Sequence, residues 1–356
     1  MRTLVQQIEE LSERVNRDVR FMEVCGTHTM SAFRSGLRQL LPSRVHLLSG
    51  PGCPVCVTET NYVDAAIELA RRPEIIITTF GDLIRVPGSD SSLEQERAAG
   101  AKVQIVYSPM DALALAQATP GKEVVFLGVG FETTAPTVAW AIWKAAKAGQ
   151  ANFSVLCAHK TMPHAMEALL RDQQIAVDGF LCPGHVSVIT GARMYQFIAT
   201  RYHVPCVVSG FEAWDMLKSI SLLLEQVAEG RATVDLEYSR AVNDQGNLAA
   251  QRLIDTVFEE VDADWRGLGP IAHSGLRIRD GFAKFDAARR FAVSFGKATV
   301  NPACRCGDVL RGVATPPDCR LFGQTCTPVR PLGPCMVSGE GTCAAWYKYQ
   351  QRPARP

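Results

Sequence analysis

Ser49-Gly50-Pro51-Gly52-Cys53-Pro54-Val55-Cys56 directly follows the apolar run Val45 to Leu48. A short apolar run that stops at turn residues predicts a buried strand opening into a loop. Two cysteines at Cys-x-x-Cys spacing sit in that loop. Gly and Pro constrain the backbone around them, so the two sulfurs acquire defined directions. Gly-Pro-Gly ahead of the pair predicts an exposed turn. A thioredoxin-type pair stands at a helix start, which lowers the pKa of one thiol. Here the helical pattern begins later, near Thr58 or Thr60. The pair therefore reads as a redox dithiol, as two metal ligands, or as two idle buried cysteines. A third cysteine has a similar setting upstream, in Phe21-Met22-Glu23-Val24-Cys25-Gly26-Thr27-His28. The expectation is that Cys25, Cys53 and Cys56 meet in one cleft.

Around Cys25, Gly26 allows another group to approach closely. Thr27 is placed to cap the next helix, and the amides at that helix start would favour a thiolate at Cys25. His28 reads as a proton exchanger or donor to an anion, or as a plain surface helix residue.

The rest of the chain repeats one pattern. Leu4, Ile8, Leu11 and Val15 make residues 3 to 17 an amphipathic helix. Apolar runs then alternate with helical stretches: Phe21–Val24, Val45–Leu48, Ile75–Thr78 and Val103–Val106. After Thr119-Pro120-Gly121 the pattern begins again with Val124–Leu127, Phe153–Leu156, Gly179–Leu181 and Cys206–Val208. Strands alternating with helices predict parallel sheets covered on both faces. The fold class is α/β, with two similar open parallel-sheet (Rossmann-like) domains at 1–118 and 119–250. A third, smaller, Cys-rich iron–sulfur domain is expected at 251–356. Gln351 to Pro356 is polar, Pro-rich and expected to be disordered. Ligands of open α/β sheets bind beyond the carboxyl ends of the strands. Cys25, Cys53, Gly81-Asp82, Glu132 and His185 all follow strand candidates, which groups them around clefts.

Composition narrows the function. The 356 residues are 47% hydrophobic and 21% charged, with a formal net charge of +1. That balance offers no electrostatic case for nucleic acid or an acidic membrane surface. No apolar run approaches the ~18 residues of a membrane span, and the N-terminus does not read as a signal peptide. A cytoplasmic location is expected, where bulk disulfides are rare. Twelve cysteines then argue for metal or redox chemistry.

Six of those cysteines, Cys304, Cys306, Cys319, Cys326, Cys335 and Cys343, crowd the C-terminal region. Thiolates bind zinc or iron–sulfur clusters. A four-cysteine zinc site would leave two thiols over, and zinc ribbons pair their ligands as Cys-x-x-Cys, which this region lacks. A [4Fe–4S] cluster, a structural zinc and a disulfide framework remain the three readings. Gly128-Val129-Gly130-Phe131-Glu132-Thr133-Thr134 begins like a dinucleotide loop but has Thr133 where the third Gly belongs. Glu132 is expected to face the inter-domain cleft. His185, in Cys182-Pro183-Gly184-His185-Val186-Ser187, reads equally as a site residue or a structural one. Cys157 and Cys206 read as small core residues.

With these motifs in hand, the chain resembles the HypD family of hydrogenase maturation proteins over essentially its whole length. The resemblance rests on Glu23 to His28, Gly50 to Cys56, Gly130 to Pro136, Cys182 to Ser187, and Gly333-Pro334-Cys335-Met336-Val337-Ser338 within the C-terminal array. It implies a scaffold on which the iron of [NiFe]-hydrogenase receives cyanide and carbon monoxide as an Fe(CN)2CO unit. It implies two partners, a small HypC-type chaperone that shares the iron and a HypE-type carrier that brings cyanide as a thiocyanate. By the resemblance, Cys25, Cys53 and Cys56 bind or work on Fe(II). Cys304, Cys319, Cys326 and Cys343 would hold a [4Fe–4S] cluster, with Cys306 and Cys335 as the redox pair beside it. Cys25, His28, Cys53, Cys56, Glu132, Cys306 and Cys335 are thus the candidate catalytic residues. A cluster-fed thiol–disulfide oxidoreductase without an iron payload is the competing reading, and a zinc-stabilised assembly protein a third.

Overall fold

The computed structural model describes residues 2–349, so the C-terminal tail expectation lies outside the described residues. Each of the eight expected strands is present within a residue or two of its sequence bounds. They are β1 (Val19–Glu23), β2 (Val45–Ser49), β3 (Ile75–Thr79), β4 (Val103–Ile105), β5 (Glu123–Gly128), β6 (Phe153–Cys157), β7 (Gly179–Pro183) and β8 (Cys206–Ser209). A short ninth, β9 (Val234–Leu236), extends one edge. All pairings among these nine are parallel. Strands β3, β5 and β6 are buried along nearly their whole length, which is why their sequences are continuous apolar runs.

The strands divide into two sheets, ordered β2-β1-β7-β8-β9 and β4-β3-β5-β6. The division does not follow the two halves of the chain. Strands β3 and β4, placed by sequence in the first domain, join β5 and β6, and the supposed linker near residue 119 connects neighbours of one sheet. The second sheet is an insertion between β2 and β7 of the first. Runs of strand and helix alternate identically on either side of such a crossover, so periodicity carries no mark of where the chain changes sheets. The domain boundary expected at 118/119 is corrected accordingly.

The boundary at 251 moves as well. The helix Leu248–Val257 is followed by an antiparallel hairpin, β10 (Phe258–Trp265) and β11 (Gly269–Ile278), where irregular chain was expected. Val257, Phe258, Leu276, Ile278 and Phe285 share a buried cluster with Val124, Phe126 and Phe153 of the second sheet. The hairpin therefore belongs to that sheet's core, and only the chain after it forms the Cys-rich region.

In an open parallel sheet the crevice lies where the strand order reverses. The first sheet reverses between β1 and β7, and the second between β3 and β5. Cys25 and His185 lie just past the ends of β1 and β7, the latter in the helix Gly184–Thr190, and Asp82 and Glu132 lie just past the ends of β3 and β5. Both reversal points thus hold residues singled out from sequence. No helix among the described residues is long and apolar enough to cross a membrane.

One close approach fixes the first crevice. A Cβ built on Gly52 would stand 2.3 Å from the Cα and backbone N of Cys25. The Gly26 N–H donates to the Gly52 carbonyl at 3.0 Å, and the Gly50 N–H donates to the Glu23 carbonyl at 2.9 Å. Gly52→Ala must therefore push the β1 and β2 loops apart. We expect it to lower stability by about 1–3 kcal/mol in urea unfolding, as overpacking does. Gly121→Ala, at a glycine with nothing within 4 Å, serves as the control and is expected to stay within about 0.5 kcal/mol of the parent.

Candidate metal and thiol site

Cys25 ends β1 and is the N-cap of the helix Gly26–Arg34. Glu23 anchors this corner. Its fully buried carboxylate accepts from the Thr29 hydroxyl at 2.7 Å and pairs with Arg38 at 3.1 Å. Thr27 does not cap the helix; its hydroxyl donates to Glu340 Oε1 at 2.7 Å. The expected thiolate at Cys25 is not favoured either. Burial, and then the Glu340 carboxylate, push the thiol up to about 12, against the pull of the Thr27 and His28 amides. Helix-start amides are worth roughly a kcal/mol, which loses to desolvation in a buried site.

Cys53 and Cys56 lie at disulfide-bonding distance, with Cα atoms 5.2 Å apart. The pair does stand at a helix start. Cys53 is the N-cap of the short helix Pro54–Val57, and its sulfur accepts from the Cys56 N–H at 3.1 Å. Pro54 occupies the first helical position, where its missing N–H costs nothing. One turn of helix has no apolar periodicity, so the sequence pattern placed the start at the next helix, Thr60–Ala70. The Gly-Pro-Gly turn is buried, not exposed, because the C-terminal region covers it. Helix Pro334–Val337 lies on Pro54–Val57, and helix Thr342–Tyr349 lies on Gly26–Arg34, with Trp346 edge-on to Phe33 at 5.4 Å.

All six C-terminal cysteines line one small cavity, walled also by Val309, Leu321, Phe322 and Met336. Cys304, Cys306, Cys335 and Cys343 are neighbours in a chain of interacting sulfurs, while the Cys326 sulfur accepts from the Leu332 N–H at 3.4 Å. A pocket of thiols in an apolar wall suits a soft metal–sulfur centre, and the donor set fits a cluster with thiols to spare. Cys53, Cys56, Cys306 and Cys335 fall in one continuous buried cluster. Among the described residues no three His, Cys, Asp or Glu side chains are set around a single ion.

The remaining candidates are held elsewhere in the crevices. His28 is fully buried, so its surface-residue reading fails. Its Nε2–H points at the Gly210 and Ser209 carbonyls at 3.0 and 3.3 Å, and burial lowers its pKa to about 4. Neutral His28 thus ties the Cys25 helix to the end of β8. His185 stacks on Phe211 at 3.9 Å, and His28 packs against the same ring. Glu132 lies buried where the two sheets meet. Its Oε1 accepts from the Met162 N–H at 2.8 Å, Oε2 has no partner among the described residues, and burial raises its pKa to about 7. The glycines of its loop serve close packing, since Cβ atoms on Gly128 and Gly130 would meet the His159 ring, and Phe131 stacks on Trp265 at 5.8 Å. Cys182 and Cys206 are core residues. Cys157 is not purely apolar in its contacts; its sulfur lies 3.4 Å from His159 Nδ1 and donates to the Leu276 carbonyl.

Sequence reasoning missed Glu340. It accepts from Thr27 while Ser338, two residues away, donates to Asp82 at 3.3 Å, and a Cβ on Gly26 would collide with the Glu340 backbone. An acidic residue between glycines, Gly339-Glu340-Gly341, beside the last cysteine was the available signal. Asp82 joins this side of the Cys25 site rather than a separate cleft.

Comparison with known proteins agrees with this arrangement. The family profile described as "HypD: Hydrogenase formation hypA family" matches residues 1–350. The chain is 49% identical over 346 residues to the hydrogenase expression/formation protein HupD of Azotobacter chroococcum mcd 1, covering 95% of this chain and 91% of that protein. It is 48% identical over 355 residues to the hydrogenase maturation factor HypD of Rhodobacter capsulatus, covering 97% and 94%. Against the hydrogenase maturation factor HypD of Escherichia coli (strain K12) it is 46% identical over 357 residues, covering 98% and 96%. The chain belongs to the HypD family of hydrogenase maturation factors.

Proposed function

We propose that this protein is the cytoplasmic scaffold and redox partner on which the Fe(CN)2CO unit of [NiFe]-hydrogenase is assembled, working with a HypC-type chaperone and a HypE-type cyanide carrier. The observation that carries this reading is the placement of Cys25 against the Cys53–Cys56 loop, with Cys306 and Cys335 in the same buried cluster as that pair. Iron(II) is the cargo. Soft sulfur ligands suit an iron that carries cyanide, so Cys25, with Cys53 and Cys56 in reach, is its seat. Cys25 holds its proton until iron arrives, because burial and Glu340 disfavour the bare thiolate; binding releases that proton.

Cyanide release from a thiocyanate, R–S–C≡N, consumes two electrons. A thiolate of the Cys53/Cys56 pair attacks the thiocyanate sulfur, expels cyanide to the iron and forms a mixed disulfide. The second sulfur of the pair then closes the Cys53–Cys56 bond and frees R–S⁻. Cys304, Cys319, Cys326 and Cys343 would hold a [4Fe–4S] cluster, which supplies electrons singly when bound. Cys306 and Cys335 store two electrons and reopen Cys53–Cys56 by exchange. Glu132, buried and half-protonated near neutrality, keeps a proton available beside the crevice. Burial beneath the C-terminal helices keeps bulk water from the bound diatomic ligands.

The helix-start setting of Cys53 and Cys56 also favours the plainer reading, a thiol–disulfide oxidoreductase with no payload. Anaerobic co-purification with the small chaperone separates the two. Infrared bands of cyanide and carbon monoxide, with iron beyond that of a cluster, support the scaffold, and their absence supports the oxidoreductase. Cys25→Ala is expected to lose those bands while keeping the cluster absorbance; retained bands would exclude Cys25 as the iron ligand. Cys319→Ala is expected to bleach the brown absorbance, and an unchanged spectrum removes Cys319 from the ligand set.

The Glu132 proton gives a stability test. The folded pKa, about 7, is raised above the ordinary 4.5. The folded state therefore keeps a proton that the unfolded chain loses as pH rises from the ordinary carboxyl value. Stability falls through that window and levels off above about 7. Glu132→Gln is expected to remove this fall, gaining on the parent by up to ~3 kcal/mol at high pH and little in acid. Parallel stability–pH curves for the two proteins would show that Glu132 is charged in the fold.

A further inference from the structure

The tip of the β10–β11 hairpin, Trp265-Arg266-Gly267-Leu268, touches three parts of the molecule at once. Trp265 is fully buried, donates to Ser274 Oγ at 2.8 Å and stacks on Phe131, so it roots the tip in the second sheet. Arg266 reaches the other way. Its backbone N–H donates to the Val57 carbonyl at 2.9 Å. Its Nε and Nη2 donate to the Thr58 carbonyl at 3.1 and 2.7 Å, and Nη1 donates to Thr60 Oγ1 at 2.9 Å. These are the carbonyls that leave the end of the Cys53–Cys56 helix, where a cation is favoured and unpaired acceptors need donors.

Gly267 meets the third part. A Cβ there would stand 2.4 Å from the Cα of Gly307, and one on Gly307 would stand 2.8 Å from the Cα of Gly267. Two glycines thus pack backbone to backbone, one of them directly following Cys306. Gly267 also has φ +84°, a conformation that disfavours any side chain. The result is that one turn is fixed at once to the end of the Cys53–Cys56 helix and to the backbone directly after Cys306. Nothing in the assembly of the iron unit described above uses this turn.

We propose that Arg266 and Gly267 are the positioning residues for thiol–disulfide exchange between the Cys306/Cys335 pair and the Cys53/Cys56 pair. Arg266 holds the end of the dithiol helix, and Gly267 seats it on the backbone beside Cys306. This rests on the relay proposed above and names what aligns it. In the step, Cys306 sheds its proton to solvent and attacks one sulfur of the Cys53–Cys56 bond. That bond breaks, a mixed disulfide forms, and the displaced sulfur takes up a proton. Cys335 then loses its proton, attacks Cys306, closes the Cys306–Cys335 bond and releases the second sulfur, which is protonated in turn. Two electrons and two protons pass to Cys53/Cys56, and no other oxidant or reductant is needed. Arg266 touches none of the reacting bonds; it acts through alignment, on which exchange depends steeply.

Full-length protein carrying Cys335→Ser provides the test, because the mixed disulfide then has no resolving thiol and accumulates. Anaerobic protein is acid-quenched, blocked with iodoacetamide, digested and read by mass spectrometry for Cys306 joined to Cys53 or Cys56. With Arg266 present the mixed disulfide is expected. Adding Arg266→Gln is expected to cut its rate of formation by about tenfold or more, with the melting temperature and cluster absorbance recorded on the same samples. Arg266→Lys, which keeps a donor for the Thr58 carbonyl, is expected to restore most of the rate, and Gly267→Ala to lose it. An unchanged rate in Arg266→Gln, or a Lys variant as slow as Gln, overturns the assignment of Arg266 while leaving the relay standing. Failure to find the mixed disulfide even with Arg266 present overturns the relay, and this inference with it.

Discussion

The absence of a side chain at residue 52 lets the loop that carries Cys25 and the loop that carries Cys53 and Cys56 touch. Gly52 packs its backbone on that of Cys25, and one hydrogen bond, Gly26 N–H to Gly52 carbonyl, locks the contact. A methyl group at that place is incompatible with the distance. The buried Glu23 carboxylate beneath it is paired with the partly exposed Arg38, and losing Arg38 would leave that carboxylate without its cation in the interior. The shared neighbourhood of Cys25 and the Cys53–Cys56 pair is therefore a property of the backbone, not of the sulfurs.

Around this contact the chain places its candidate site residues at two reversal points, one in each sheet. Residues that follow strands of both sheets, Val24, Cys53 and Cys56 from the first and Val129 and Phe131 from the second, share one buried cluster with Trp265. The C-terminal region then closes over the first crevice through helices Pro334–Val337 and Thr342–Tyr349. Closure has an electrostatic consequence. It buries Cys25 and brings Glu340 beside it, and both effects hold the thiol protonated. A buried neutral thiol is inert toward oxidants but still available to a metal that can displace its proton.

Much of this was legible before folding was considered. The apolar runs placed eight strands, because a strand buried on both faces must be apolar throughout. The clustered cysteines led to the expectation of a metal centre in the C-terminal region, and the structure brings all six around one cavity. The errors share a cause. The helix Pro54–Val57 is a single turn, too short for periodicity to register. The hairpin does alternate, as Val261-Asp262-Ala263-Asp264-Trp265, but its acidic, small-residue pattern follows a helix and resembles a continuation of it. For His28 the sequence left a proton exchanger and a helix-surface residue both open, because nothing local reveals the Ser209 and Gly210 carbonyls that bind it.

What the amino-acid sequence settled alone was the kind of parts: parallel strands, Gly-rich loops at their ends, and a sulfur inventory suited to soft metals. These follow from local rules, since hydrophobic period and turn chemistry act over a few residues. Which strands share a sheet, which loops meet, and whether Cys25 is charged were decided by the tertiary structure. Those outcomes depend on contacts between residues hundreds of positions apart, such as Thr27 with Glu340 and Thr58 with Arg266. Burial, which sets the protonation of Cys25, His28 and Glu132, exists only once those distant segments have closed over them.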